Sequence, residues 1–301
     1  MECGYEEWYS FRMTDSFGTL IKGSWNFFAA HIKPIFIGSI IFGLLMFGLQ
    51  KILETQAANS MANHFGDMEK MEEYAERIEQ GDEEAFQEMM MKMGMMDEGE
   101  LDEEAMEDMA MDLMKGMLPM FGLAFFGMLI LSLVSSIFYI VLAIEGSQDF
   151  IKSMKRIPRF LLPMLGVWIW SFIRSFAWIP VLGWIIAIFV GPRLVMSSVI
   201  LVKEGKGVTD SVKLSYQRSR GYWGKIVGNS IVAAVLVMLV MFVLSIALGF
   251  FGVVSITAAA IVAMILQSMM TAYGAIFVVR LSNTIMANPL QPVATNKKPL
   301  S

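Results

Sequence analysis

The residues of this chain that could perform chemistry are concentrated in one acidic, methionine-rich segment. The run Met89-Met90-Met91-x-Met93-x-Met95-Met96 brings six thioethers together, and His64 precedes them. Thioethers prefer Cu(I) among the metals of biology. The sequence therefore predicts a soft-metal site, whose candidate ligands are Met89, Met90, Met91, Met93, Met95, Met96 and His64.

Two other interpretations of the methionines stay open. Fifteen of the chain's 28 methionines fall between Met61 and Met120. Methionine forms helix well and fills irregular apolar cores, and it also forms adaptable grooves that could hold a peptide, a lipid tail or a neighbouring protein. Calcium fits less well, because the run Asp97–Glu104 is not a loop of alternating ligands with an obligatory glycine.

A second candidate is Arg193, which lies within an apolar stretch directly after Gly191-Pro192. Proline removes a backbone donor and opens a helix locally, and an intramembrane arginine is costly enough to mark a functional site. Arg193 is interpreted either as a snorkelling residue with a structural hydrogen bond or as a binding residue for a lipid headgroup or another anion. Its available protein partners are freed carbonyls, Asn229, Gln267 and Glu145.

Catalytic constellations are not found in the sequence. His31 and His64 are the two histidines and Cys3 is the single cysteine, and no nucleophile triad, zinc motif or P-loop is present. We therefore predict a protein that is not an enzyme and holds no cofactor. A transport site at mid-membrane would depend on Arg193 and little else.

The fold class follows from hydropathy. Hydrophobic residues make up 56 % of the chain and charged residues 17 %, which is typical of a polytopic membrane protein. A helix crosses the bilayer with about 20 apolar residues. The sequence predicts an all-α protein with six transmembrane helices arranged as three hairpins, at Pro34–Leu53, Leu118–Ile144, Phe160–Trp178, Val181–Lys203, Ile226–Phe250 and Val253–Val279.

Charge asymmetry predicts the orientation. Residues 51–117 carry five basic and twenty acidic groups, whereas sixteen of the 23 basic residues lie near span ends on the other side. The positive-inside rule then places the termini, 1–33 and 280–301, and the segments 145–159 and 204–225 in the cytoplasm. Residues 54–117 become an external cap on the cell membrane. No cleavable signal peptide is expected.

Partners follow from the same charges. The basic cytoplasmic rim suits anionic lipid headgroups, and no nucleic-acid-binding module accompanies it. The external cap should contain three amphipathic helices, near 68–78, 85–93 and 101–117, which are marginal alone and should pack together or on the membrane. A partner membrane protein or peptide could bind there.

A weak internal repeat predicts a short interfacial helix before the first, third and fifth spans. The repeated starts are Thr14-Asp15-Ser16-Phe17, Asp149-Phe150 and Thr209-Asp210-Ser211. Thr or Asp at the start of such a helix is a good N-cap, because its side-chain oxygen accepts from an unpaired backbone amide.

One stretch carries a family resemblance. Its residues are Ile179–Trp184, Arg193–Val195, Glu204–Val208 and Asp210–Trp223. This pattern resembles the membrane domain associated with some glycerophosphodiester phosphodiesterases and its six-span relatives, although Ser211-Val212 stands where Ala-Leu is usual and Tyr216 where Trp is usual. The resemblance implies a six-helix membrane module without an assigned chemistry. The 301 residues leave no room for the soluble catalytic barrel.

The sequence thus predicts a scaffold or accessory module that engages lipid or a partner protein through its external cap and basic rim. The alternative is a protein that binds or transports a soft metal through its methionines.

Overall fold

A computed structural model describes residues 16–65, 68–79, 82–92, 96–97, 100–101, 103–176, 188–252 and 255–288. The chain forms two compact units. We call Met1–Leu44 with Leu131–Ser301 the helical unit, and Leu45–Ile130 the Met-rich unit.

The described elements are almost all helices. In chain order they are α1 (Phe17–Ala30), α2 (Ile32–Phe65), α3 (Met68–Glu79), α4 (Glu83–Lys92), β1 (Met96–Asp97), β2 (Glu100–Leu101), α5 (Glu103–Glu145), α6 (Phe150–Phe176), α7 (described over residues 188–194), α8 (Ser197–Glu204), α9 (Val208–Arg218), α10 (Trp223–Gly252) and α11 (Ile256–Ala287). The two strands form one short antiparallel pair.

Four helices are long and apolar enough to cross a membrane. The stretches are Ile32–Asn59 in α2, Met114–Glu145 in α5, Trp223–Phe250 in α10 and Ile256–Ala287 in α11. They overlap the first, second, fifth and sixth predicted spans. The prediction of a helical membrane protein is therefore confirmed for these four helices.

The third and fourth predicted spans are not among these four helices. α6 contains Pro158 and Pro163 and carries basic residues along its first half, and the predicted third span, Phe160–Trp178, extends beyond the last described residue of α6. The fourth was expected as one helix over 181–203. Instead, a turn at Val195–Met196 separates α7 from α8, and residues 177–187 lie outside the described part.

The core of the helical unit is built around α5. Ile137, Phe138, Tyr139 and Val141 are completely buried there, together with side chains from α2, α6 and α11. The Tyr139 hydroxyl lies 3.0 Å from Ser39 Oγ and 2.8 Å from Ser268 Oγ. A single buried tyrosine therefore joins α2, α5 and α11 through hydroxyl hydrogen bonds, which satisfies three polar groups away from water.

Close helix approaches explain two glycines. A Cβ built on Gly43 would lie 2.9 Å from the backbone of Ile265, so α2 and α11 are nearly in backbone contact there. At Gly23 the space for a Cβ is filled by the Arg280 guanidinium, whose Nη1 donates to the Gly23 carbonyl at 2.5 Å. Small residues of this kind let membrane helices pack closely.

Helix starts agree only in part with the predicted caps. Ser16, rather than Thr14 or Asp15, caps α1 and accepts from the Thr19 amide at 3.4 Å. Asp149 caps α6, since its Oδ1 accepts from the amide of Ile151 at 2.9 Å. The expected cap of α9 is wrong, because α9 begins at Val208, ahead of Thr209 and Asp210.

The Met-rich unit contains the expected cap helices in altered form. α3 and α4 match two of the three predicted helices, and the third continues through Pro119 into the membrane stretch of α5. Arg77 pairs with Asp82 at 2.8 Å and with Glu88 at 3.2 Å. The Ala85 amide and the Arg77 guanidinium hold the pKa of Asp82 below its ordinary value, because both favour the carboxylate.

Candidate functional site

Arg193 lies at the end of α7, where the backbone is held by α9. The Arg193 carbonyl accepts from Ser215 Oγ at 2.6 Å and from Ser219 Oγ at 3.3 Å. Both serines are buried. Ser215 and Ser219 are one helical turn apart at the end of α9, so their hydroxyls meet the same acceptor. This local arrangement fixes the position from which the Arg193 side chain extends.

The Arg193 guanidinium contacts Tyr216 in two ways. Its Nη1 donates to the Tyr216 hydroxyl at 3.0 Å, and its Cζ lies 5.0 Å from the ring centroid. Arg174, from the last turn of α6, has its Cζ 5.8 Å from the same centroid. Two arginines that are nineteen positions apart in the sequence therefore share one aromatic ring, in the manner of cation–π contacts.

This geometry changes the expected environment of Arg193. Of the predicted protein partners, Glu145 instead pairs with Arg156 at 2.5 Å, and the contact that holds the guanidinium is Tyr216. Nor does Arg193 lie midway along a straight span. The carbonyl of Ile188, at the other end of the described part of α7, accepts from Trp223 Nε1 at 3.3 Å, so α7 lies against α9 and the start of α10.

Helices α6 and α9 run side by side in the same direction. Gly166 lies against Val208, and Arg174 lies against Tyr216. From the first contact to the second, both helices advance by eight residues, so they run in the same direction.

An apolar cleft lies beside the arginines. Its volume is about 320 Å³, and it opens between α6 and the pair α7–α8. The lining includes Val167, Trp168, Phe172, Leu194 and Val195, with serine hydroxyls among them. This size is at the low end of ligand sites, which occupy about 300–1,000 Å³ and are mainly apolar with a few polar groups.

Two polar atoms at this site are buried without a partner among the described residues. They are Nε of Arg193 and Oγ of Ser171, and Ser171 is also part of the cleft lining. Neither Arg174 nor Arg193 forms an ion pair within the part of the chain that the structure describes. The arrangement can therefore bind an anion through guanidinium groups and hydrogen-bond donors.

The exposed side of α6 changes character along its length. Lys152, Lys155 and Arg159 are exposed in its first half. Its second half exposes Leu162 and Phe172, at 77 % and 64 % of their surface, together with Ile169, Trp170 and Ile173. A cationic stretch followed by an apolar one is typical of a helix that enters the headgroup layer of a membrane.

Two basic residues further along the chain are held by partners. Arg218 pairs with Glu204, which joins the ends of α8 and α9. Lys203 Nζ donates to Asn283 Oδ1 on α11 at 2.6 Å. The predicted basic rim thus divides into residues that join helices and residues, such as Lys152, Lys155 and Arg159, that are exposed.

The candidate metal ligands are distributed over several elements. Met89, Met90 and Met91 are consecutive in α4, Met96 is in β1 and His64 is near the end of α2, whereas Met93 and Met95 lie outside the described residues. Consecutive helical residues point about 100° apart, and Met89 is half-buried while Met91 is exposed. A regular helix thus gives these three positions different directions, and the soft-metal site stays a prediction.

Sequence reasoning found Arg193 by its charge but not its neighbours. In the sequence, Tyr216 stands out only as a departure from a tryptophan. No family model, curated protein or solved structure matches this chain. The resemblance of residues 179–228 to the phosphodiesterase-associated membrane domain therefore stays a prediction.

Proposed function

We propose that this chain is a non-enzymatic protein of the cell membrane that engages anionic lipid at its cytoplasmic face. The observation that carries the proposal is the exposed surface of α6, which changes from cationic to apolar. Each Lys or Arg near an anionic surface contributes about 1 kcal/mol. Lys152, Lys155 and Arg159 together would thus contribute a few kcal/mol to lipid association, reduced by salt.

The proposal uses four spans, α2, α5, α10 and α11, and keeps both termini in the cytoplasm. Four spans are an even number, so the basic segments before α2 and after α11 stay on one side, as the positive-inside rule requires. α6 to α9 then form a cytoplasmic layer with the apolar half of α6 against the bilayer. The side-by-side packing of α6 and α9 supports this arrangement over six spans.

The polar face of α9 supports the same arrangement. Thr209, Asp210, Lys213 and Gln217 are exposed on it, and such a face is too costly to place in hydrocarbon. An α6–α9 layer that is apolar on one side and polar on the other fits the interface between lipid and water. The acidic segment 54–117 would lie outside the cell, as its charge predicts.

Replacing Lys152, Lys155 and Arg159 by glutamine is expected to weaken binding of phosphatidylglycerol by about tenfold or more, because three cations leave the lipid-facing surface. The measurement is native mass spectrometry of the full chain in detergent, titrated with phosphatidylglycerol and, separately, with phosphatidylcholine. The phosphatidylcholine affinity should change little.

A matched control removes the same charge elsewhere. Lys51, Lys92 and Lys115 lie in the Met-rich unit, and their replacement by glutamine should leave phosphatidylglycerol binding within about twofold. Equal losses in the two triple variants would contradict the proposal, because the effect would then report net charge alone.

A further inference from the structure

Arg174, Arg193 and Tyr216 form a cationic cluster that no other observation explains. Both guanidinium groups lie within cation–π distance of one ring, with Arg174 Cζ 5.8 Å and Arg193 Cζ 5.0 Å from its centroid. Two like charges held at one ring repel each other. An anion bound beside that ring would offset the repulsion.

Among the described residues, no carboxylate forms an ion pair with Arg174 or Arg193. Helices α8 and α9 carry two carboxylates, Glu204 and Asp210. Glu204 pairs with Arg218, and Asp210 is exposed on the polar face of α9. Residues 177–187, which connect α6 to α7, contain neither Asp nor Glu. The balancing charge therefore has to come from outside this part of the protein.

Hydrogen-bond donors are available for it. Arg193 Nε is buried and lacks a partner within the described chain, although burying an unpaired donor is unfavourable. Arginine recognises phosphate through several parallel N–H donors, which makes such contacts stronger than those between neutral groups. A phosphate group matches these donors in both charge and geometry.

The cleft beside the cluster favours a ligand that also has an apolar part. Val167, Trp168 and Phe172 line it from α6, Leu194 lines it from α7, and Val195 lines it from the turn after α7. Phe172 is also 64 % exposed, so the cleft opens on the apolar side of α6. A ligand that combines a phosphate with an apolar chain would satisfy both parts of the site, and a free anion would leave the cleft empty of apolar contacts.

We propose that Arg174 and Arg193 bind the phosphate of an anionic glycerophospholipid beside the Tyr216 ring, with part of an acyl chain in the cleft. This inference rests on the proposed function, since it assigns one lipid of the cytoplasmic face to a defined site. The remaining lipids would contact the exposed cations of α6 without a fixed position. The site holds its lipid through directed hydrogen bonds, whereas the α6 surface attracts lipid by charge alone.

The test uses Trp168 as a local reporter. The full chain is reconstituted into phosphatidylcholine vesicles that contain increasing shares of phosphatidylglycerol brominated on its acyl chains, and tryptophan quenching is measured. The same titration with Trp168→Phe isolates the contribution from the cleft. In the double variant Arg174→Gln, Arg193→Gln, half-quenching of the Trp168 component should need about tenfold more phosphatidylglycerol, or more.

Matched variants make the result specific. Lys213 and Arg220 are exposed, and the double variant Lys213→Gln, Arg220→Gln, which removes equal charge, should shift half-quenching less than about twofold. Ser198 is one of the serines that line the cleft. Ser198→Phe fills the cleft and keeps both arginines, so it should remove the Trp168 component without lowering phosphatidylglycerol binding at α6. This variant keeps the test decisive even if the double arginine variant fails to fold.

Three outcomes would overturn the inference. The first is unchanged Trp168 quenching in the double variant Arg174→Gln, Arg193→Gln. In that case the proposed function would still hold if the triple α6 variant lost phosphatidylglycerol binding. Full displacement of the lipid by inorganic phosphate would assign the site to a free anion. Equal quenching by brominated phosphatidylcholine would show that the two arginines do not select an anionic lipid.

Discussion

Replacing Gly43 by alanine is expected to lower the free energy of unfolding by about 1–3 kcal/mol, the usual cost of overpacking a close contact. The added Cβ would lie 2.9 Å from backbone atoms of Ile265. Backbone cannot rotate away as a flexible side chain can, so α2 and α11 have to separate. The measurement is unfolding of the full chain in mixed micelles of mild detergent and SDS.

Gly48 provides the matched control in the same helix. A Cβ at Gly48 meets nothing within 4 Å, and alanine is a better helix former than glycine by about 1 kcal/mol. Gly48→Ala should therefore leave stability unchanged or raise it. Equal destabilisation by the two substitutions would show that the helix tolerates no methyl group at all, and that the contact with Ile265 is not the cause.

Replacing Tyr139 by alanine is expected to cost about 3–5 kcal/mol, as for other large buried aromatic residues. Tyr139 is fully buried and joins three helices through its hydroxyl. Tyr139→Phe keeps the ring and should cost only about 1 kcal/mol, because hydrogen bonds between membrane helices are individually modest. The same mixed-micelle unfolding experiment measures both.

A double comparison separates the ring from the hydroxyl. When Ser39 and Ser268 are also replaced by alanine, Tyr139→Phe should cost less than it does alone, since no serine hydroxyl is then left unpaired. Phe126 lies in the same helix with its side chain 61 % exposed. Phe126→Ala is therefore the control, and it should lower the free energy of unfolding much less than Tyr139→Ala does. Additive losses across the hydroxyl variants would contradict the coupled arrangement.

Most of the helices could be predicted from the sequence because they depend on local patterns. Long apolar stretches mark α2, α5, α10 and α11, and spaced methionines among acidic residues mark α3 and α4. The starts of α1 and α6 were indicated by cap residues, although Ser16 is the cap rather than Thr14 or Asp15. Pro119 lies inside α5, and the helix continues through it because loss of one backbone donor is tolerated within a long helix.

Tertiary contacts account for what the sequence did not reveal. Arg193 was recognisable because a charge in an apolar stretch is rare. Its pairing with Tyr216, twenty-three positions away, depends on α6, α7 and α9 packing together, and no periodic pattern encodes that packing. α6 resembles a span in sequence because its second half is apolar, and the sequence does not reveal its contact with α9.

The length of α11 has a mechanical consequence. Thirty-two residues extend about 48 Å at 1.5 Å per residue, whereas the hydrocarbon layer is about 30 Å thick. Part of one rigid rod must then project beyond the layer. Arg280 on that rod donates to the Gly23 carbonyl of α1 at 2.5 Å, so any change in bilayer thickness that tilts α11 also displaces α1.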